Sequence, residues 1–391
     1  MHRRDFFKSA AAVAGLAFPQ IAGAAPAETD NFKTRHVILI LNGNGARKQE
    51  YYERPDVSPH IRKMADEGTV CVEDHNNTVS NHGYMFTELL SGQDFSLATP
   101  RWPTMPHYLR KQYGDGATNY FYLQGISYFR QWRFHTKYYC GHPDYGIDTR
   151  PMSLTVQNIF FEGNNKSPKQ IVADQFPDMG ASPQEVKRLE EFVEAHLKAN
   201  DYTPSLERPF LSREPFMQES QALHMIPSIL QAFKPRLIIF QQIGHDTGHG
   251  GGGFMLNDTG YRDYVRTAIS TDEVTGHIYD FVKNDPYFSK NTAIIVRPET
   301  GRDDEVNMYG EINHSEGYYY CHRAASIWWG PDFKKGHVVK DVVNRLDMCK
   351  TIVKLLGGDA VHAKGSVNPF IFADHVGPLP PYQKETRTIG L

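Results

Sequence analysis

In His36-Val37-Ile38-Leu39-Ile40-Leu41 five aliphatic residues follow one another without a polar break, and the run ends at Asn42-Gly43-Asn44-Gly45. A strand with one wet face would alternate apolar and polar residues. This one does not, so both of its faces are expected in a core, as in the middle of a parallel sheet, with a glycine loop at its carboxyl end. Working outward, Ser58 to Gly68 has helical spacing with Ser58 placed as N-cap and Gly68 as stop, and Thr69 to Val72 reads as the next strand. Thr104 to Tyr113 (helix) and Ala117 to Leu123 (strand) repeat the unit. After a long interruption the alternation resumes. Ala222–Phe233 reads as helix, Arg236–Phe240 as strand, Tyr264–Val282 as helix, and Thr292–Val296 and Ala324–Trp329 as strands. Leu346–Leu356 closes the series as a helix stopped by Gly357-Gly358. Strands alternating with helices predict an α/β fold, a mostly parallel central sheet with helices on both faces and chemistry at the carboxyl ends of the strands.

The interruption, residues 124–220, carries Tyr128, Phe129, Trp132, Phe134, Tyr138 and Tyr139 and one charged helix from Pro183 to Ala199. Without alternation it reads as an aromatic-rich insertion or cap rather than sheet, its rings more simply explained as packing of a small subdomain than as a substrate entrance. The main domain is then expected over 36–358, after a linker at 25–35 and before a C-terminal tail at 359–391.

With 391 residues, 40% hydrophobic and 22% charged, the chain has the composition of an ordinary globular protein. Its net charge of −3 gives no basic surface for nucleic acid. Arg3-Arg4 with Lys8, the Ala-rich run from Ser9 to Phe18 and the small residues Ala22-Gly23-Ala24 read as a twin-arginine signal peptide over 1–24, implying the Tat export machinery as a partner and a periplasmic or secreted location. The apolar run of about 10 residues is too short for a membrane span, which needs about 20. Cys71, Cys140, Cys321 and Cys349 show no CxxC spacing; disulfides and buried thiols both remain open.

The residues just past the strands form a set: Asn42; Thr78, Ser80 and His82; His245, Asp246 and His249 in a glycine-rich segment; Glu299 and Thr300; and His314 ahead of the strand at 324. Histidines and carboxylates meeting at one sheet edge point to a metal. The order of segments resembles the alkaline phosphatase superfamily, its sulfatases and nucleotide pyrophosphatases/phosphodiesterases in particular. The resemblance rests on the strand ending Asn42-Gly43, Ser58-Pro59 through Glu67-Gly68, Thr78-Val79-Ser80-Asn81-His82, Ser91-Gly92, Pro103 to Arg110, His245-Asp246-Thr247-Gly248-His249, Pro298-Glu299-Thr300-Gly301, and His314 followed by Trp328-Trp329-Gly330-Pro331.

That resemblance implies a pair of metal ions about 4 Å apart clamping an ester of phosphate or sulfate. One would be held by His245 (or Asp246 with shifted spacing), His249 and His314, and the other by Asn42, Thr78, Glu299 and Thr300. Here Asn42 stands where the family has an aspartate, Glu299 replaces an aspartate and Thr300 a histidine. The second set keeps one negative charge, so one ion, zinc, is expected rather than two. Thr78 falls at the nucleophile position, with Asn81, His82 and Thr300 toward the substrate. A Cys/Ser-x-Pro-x-Arg segment is absent, which disfavours a formylglycine sulfatase. The expectation is an exported metal-dependent hydrolase of small anionic esters (phosphate, phosphonate or sulfate); the second reading is a non-catalytic binding protein on the same fold.

Overall fold

The computed structural model describes residues 31–43, 45–76, 88–93, 102–114, 116–124, 152–155, 169–170, 181–199, 225–242, 261–302, 305, 312 and 319–383. The strands are β1 (His36–Asn42), β2 (Thr69–His75), β3 (Tyr120–Gln124), β4 (Met152–Thr155), β5 (Leu237–Gln242), β6 (Thr292–Pro298), β7 (Arg323–Trp329), β8 (His337–Val339) and β9 (Val343–Asn344). They form one sheet in the order β4-β3-β5-β1-β6-β7-β2-β8, with β9 also on β2. Neighbours are parallel except at β7, which runs against both β6 and β2. The helices are α1 (Pro59–Glu67), α2 (Met105–Tyr113), α3 (Pro183–Ala199), α4 (225–233), α5 (Tyr261–Asn284) and α6 (Asp347–Leu355).

β1 lies between β5 and β6 and is buried along its whole length. Its residues divide by parity between two cores. Ile38 and Ile40 join α1, α3, α4 and α5 on one face, and Val37, Leu39 and Leu41 join α2, α6 and the C-terminal segment on the other. Each such aliphatic chain contributes about 1.5–3 kcal/mol of burial, so the unbroken run commits β1 to the centre.

Several expectations are corrected in detail. Met152–Thr155 pairs in parallel with β3, and α3 buries Leu189, Phe192 and Val193 in the first core. The 124–220 stretch therefore contributes a strand and a core helix; its aromatic cluster lies outside the described residues. In the C-terminal segment, Ala360, Ala363, Ile371 and Phe372 pack into the second core and Phe372 bridges to Phe333. Ser58 does occupy the N-cap of α1, but its Oγ donates to the Glu50 carbonyl (2.6 Å). Two amides of that helix end that lack a partner within the helix, His60 N (3.1 Å) and Ile61 N (2.7 Å), donate to the Asp272 carboxylate of α5. Cys71 and Cys349 are buried free thiols, and burial pushes both well above the usual thiol range. Cys140 lies outside the described residues.

The reversal of β7 matters for the site. Because β7 runs against β6, the end of one and the start of the other lie at the same edge of the sheet. The two are tied by Gly301 N donating to the Cys321 carbonyl at 2.9 Å.

Candidate active site at the carboxyl edge of the sheet

β1 and β6 are in register with Asn42 beside Pro298, which brings Asn42, Glu299 and Thr300 together past the ends of two adjacent strands. Glu299 N donates to the Asn42 carbonyl at 2.9 Å, and Ala46 N to the Thr300 carbonyl at 3.0 Å. Gly45 has φ +75, and a Cβ there would collide with Thr300 Oγ1, so only glycine lets the loop after β1 close over Thr300.

All three side chains are buried, yet they are not equally satisfied. Neither atom of the Asn42 carboxamide, nor Thr300 Oγ1, has a hydrogen-bond partner among the described residues. Buried polar atoms are nearly always paired, and leaving one bare costs about 1–3 kcal/mol. Departures of this kind are expected at functional or strained sites. Glu299 is held instead. Gln241 Nε2 donates to its Oε1 at 3.0 Å, and its backbone carbonyl accepts from Arg297 Nη1 (3.1 Å) and Arg345 Nη1 (3.4 Å).

These arginines belong to a buried charge cluster beneath the edge. Arg297 forks onto Asp74 (3.1 and 3.0 Å) and reaches Asn76 Oδ1 (2.5 Å), while Arg345 pairs with Glu88. Burial lowers the Arg345 pKa and the Glu88 charge opposes that shift. The Tyr122 phenol is pushed well up, by burial first and by the Glu299 charge second, so it remains a proton donor.

The oxygens of Asn42, Thr300 and Glu299 are hard donors carrying one negative charge among them. They fit a divalent ion that takes its principal ligands elsewhere, not a second tightly held one. Among the described residues no group of three or more His, Cys, Asp or Glu side chains could hold a metal. His245, Asp246, His249 and His314, and likewise Thr78, Asn81 and His82, lie outside the described residues. Asn42, Glu299 and Thr300 are the part of the expected set that the structure brings together.

No family model and no curated protein matches the chain. Solved structures do. The lipoteichoic acid synthase LtaP from Listeria monocytogenes superposes with a TM-score of 0.53 over 94% of this chain and 81% of that one, at 12% identity. The chain has an alkaline phosphatase-like fold. Also similar are the phosphonate monoester hydrolase SpPMH from Silicibacter pomeroyi (TM-score 0.48, 15% identity, 84% of this chain and 74% of that) and an alkaline phosphatase superfamily protein from Vibrio parahaemolyticus (0.47, 12%, 97% and 79%). At such identities the likeness is one of fold.

Within this alkaline phosphatase-like sheet, sequence reasoning missed Gln241, Tyr122, Asp74, Arg297, Arg345 and Glu88. One signal was present. Arg297 interrupts the otherwise apolar run Ala293-Ile294-Ile295-Val296, and an arginine at the end of a central strand needs a buried anion.

Proposed function

We propose that the protein is an exported, metal-dependent hydrolase of phosphate, phosphonate or sulfate esters that uses one divalent ion, zinc foremost. The observation that supports this reading is the pair of buried side chains with no partner among the described residues, Asn42 and Thr300, at the carboxyl edge of an alkaline phosphatase-like sheet, where Glu299 N donates to the Asn42 carbonyl. His245 (or Asp246), His249 and His314 are assigned the ion, with Glu299 and Asn42 adjoining it. Such an ion acts as a Lewis acid on the ester and lowers the pKa of a bound hydroxyl or water. Thr78 is assigned the attack, displacing the alcohol and forming a covalent ester that water then hydrolyses. Asn81, His82 and Thr300 orient the anionic group, and the unfilled donors at Asn42 and Thr300 suit its oxygens. Among the described residues no helix is long and apolar enough to cross a membrane.

Elemental analysis of protein purified without chelator, together with a panel of aryl phosphate, phosphonate monoester and aryl sulfate substrates, tests the reading. One zinc per chain and turnover of at least one ester class are expected. His249→Ala should lose the metal, and Thr300→Ala should keep it. Two equivalents would restore the two-ion phosphatase scheme. No metal after zinc reconstitution would leave a binding protein on this fold.

A further inference from the structure

Gln241 and Gln242 end β5 as two consecutive buried carboxamides. Parity sends them to opposite faces. Gln242 continues the Ile238–Phe240 row, and its Oε1 has no partner among the described residues. Gln241 continues the Leu237–Ile239 row of the second core, where a leucine would cost nothing to bury. A carboxamide there has to be accounted for at both ends, and it is. Its Oε1 accepts from Tyr122 OH at 3.3 Å and its Nε2 donates to Glu299 Oε1 at 3.0 Å.

The register explains how the three meet. Tyr122 pairs with Ile239 on β3, so it stands diagonally from Gln241 on the same face, within reach of a long side chain. Leu41 of β1 pairs with Gln241 on one side and Arg297 on the other, and Glu299 follows two residues after Arg297. Gln241 therefore spans the end of β1. Direction is fixed along the chain, because a phenol donates, an amide oxygen accepts, an amide nitrogen donates, and a carboxylate accepts.

The main chain of Glu299 is already immobilised by the Asn42 carbonyl, Arg297 and Arg345. The bond from Gln241 to Oε1 restricts rotation of the carboxylate. We propose that Gln241, oriented by Tyr122, is the positioning residue for Glu299, and that the Tyr122–Gln241–Glu299 chain sets how tightly this edge holds a divalent cation. This deepens the metal-dependent reading and rests on it. Residues that hydrogen-bond a metal-adjoining carboxylate act without touching the ion, and losing one typically costs 10–100-fold in affinity.

The experiment titrates metal-stripped full-length protein with zinc against a chromophoric chelator, for wild type, Gln241→Met, Tyr122→Phe, Glu299→Gln and the Gln241→Met/Glu299→Gln double variant. Gln241→Met is expected to weaken zinc binding by about 10–100-fold, and Tyr122→Phe by less. In the Glu299→Gln background Gln241→Met should add no more than about a factor of two, since coupled partners are not additive. Urea unfolding of the metal-free proteins should show the same coupling between positions 241 and 299. If Gln241→Met does not fold, Gln241→Asn, one methylene too short to span β1, takes its place. Wild-type affinity in the 241 variant, or losses that multiply in the double variant, overturn the positioning role alone. A wild type that takes up no zinc overturns the metal reading and this inference together, and is told apart because every protein is then silent.

Discussion

Asn42→Leu should make the protein more stable and less active. The side chain is fully buried at the end of the central strand, and neither of its polar atoms is bonded among the described residues. Burial of an unpaired amide costs about 1–3 kcal/mol in proteins, and leucine has the same branched skeleton of heavy atoms with no polar atom to desolvate. On the same face Ile38 and Ile40 precede it in the first core, so the new isobutyl group extends an apolar row. A gain of about 1–3 kcal/mol is expected in the metal-free protein, or roughly 1–4 °C in the unfolding midpoint for a chain of this size. Removing a group that should contact ester or ion lowers kcat/KM by at least about tenfold, given about 1.4 kcal/mol per factor of ten. Urea unfolding and ester turnover on the same preparation read both sides. Thr300→Val, with one bare hydroxyl, should gain less. A loss of stability in Asn42→Leu would refute the reasoning, because it would mean that the amide makes bonds worth more than its burial costs. A gain with activity intact would refute its functional half.

Asp74→Ala strands the Arg297 guanidinium, 0% exposed, with Asn76 and two carbonyls but no counter-charge; a loss of about 3–5 kcal/mol is expected on urea unfolding, much of it recovered in Asp74→Leu/Arg297→Met. His36 is pushed down to about 4, chiefly by burial, with Nδ1 donating to the Pro235 carbonyl and Tyr287 OH donating to Nε2. The unfolded imidazole takes a proton near 6.5 while the folded one resists until about 4, so its contribution is present above 6.5 and is lost as pH falls to 4. That loss reaches about 3 kcal/mol at 1.36 kcal/mol per unit, and His36→Phe should flatten the slope of stability between pH 4 and 6.5. Arg3-Arg4→Lys-Lys should leave the precursor in the cytoplasm on fractionation, because paired arginines are what the translocon reads; normal periplasmic accumulation would remove the Tat assignment.

The central strand could be read to the residue because burial on both faces leaves its mark in consecutive residues. Where the stabilising partner is distant in sequence, the reading stopped short. β2 was expected over Thr69 to Val72; the strand runs on to His75, and Arg297, on another strand, receives Asp74 there. The direction of β7 was not legible, as an apolar hexamer reads alike both ways. Isolated apolar residues such as Ile371 and Phe372 have no periodicity, so the docked C-terminal segment looked like a tail. At the site, Asn42, Glu299 and Thr300 were legible from position after a strand, whereas Gln241 resembled an ordinary polar end to one. Its role depends on Tyr122 and Glu299, which lie 119 and 58 residues away.

The backward run of β7 pins the end of β6 and the start of β7 at one rim, Gly301 N against the Cys321 carbonyl. Chain entropy scarcely penalises a change of length between two such anchors, since doubling a loop costs only about 0.6 kcal/mol. Composition is another matter, because Arg302 there is buried and donates to the Gly45 and Ile312 carbonyls. The stretch is thus tolerant of length yet tied, through Arg302, to the loop after β1.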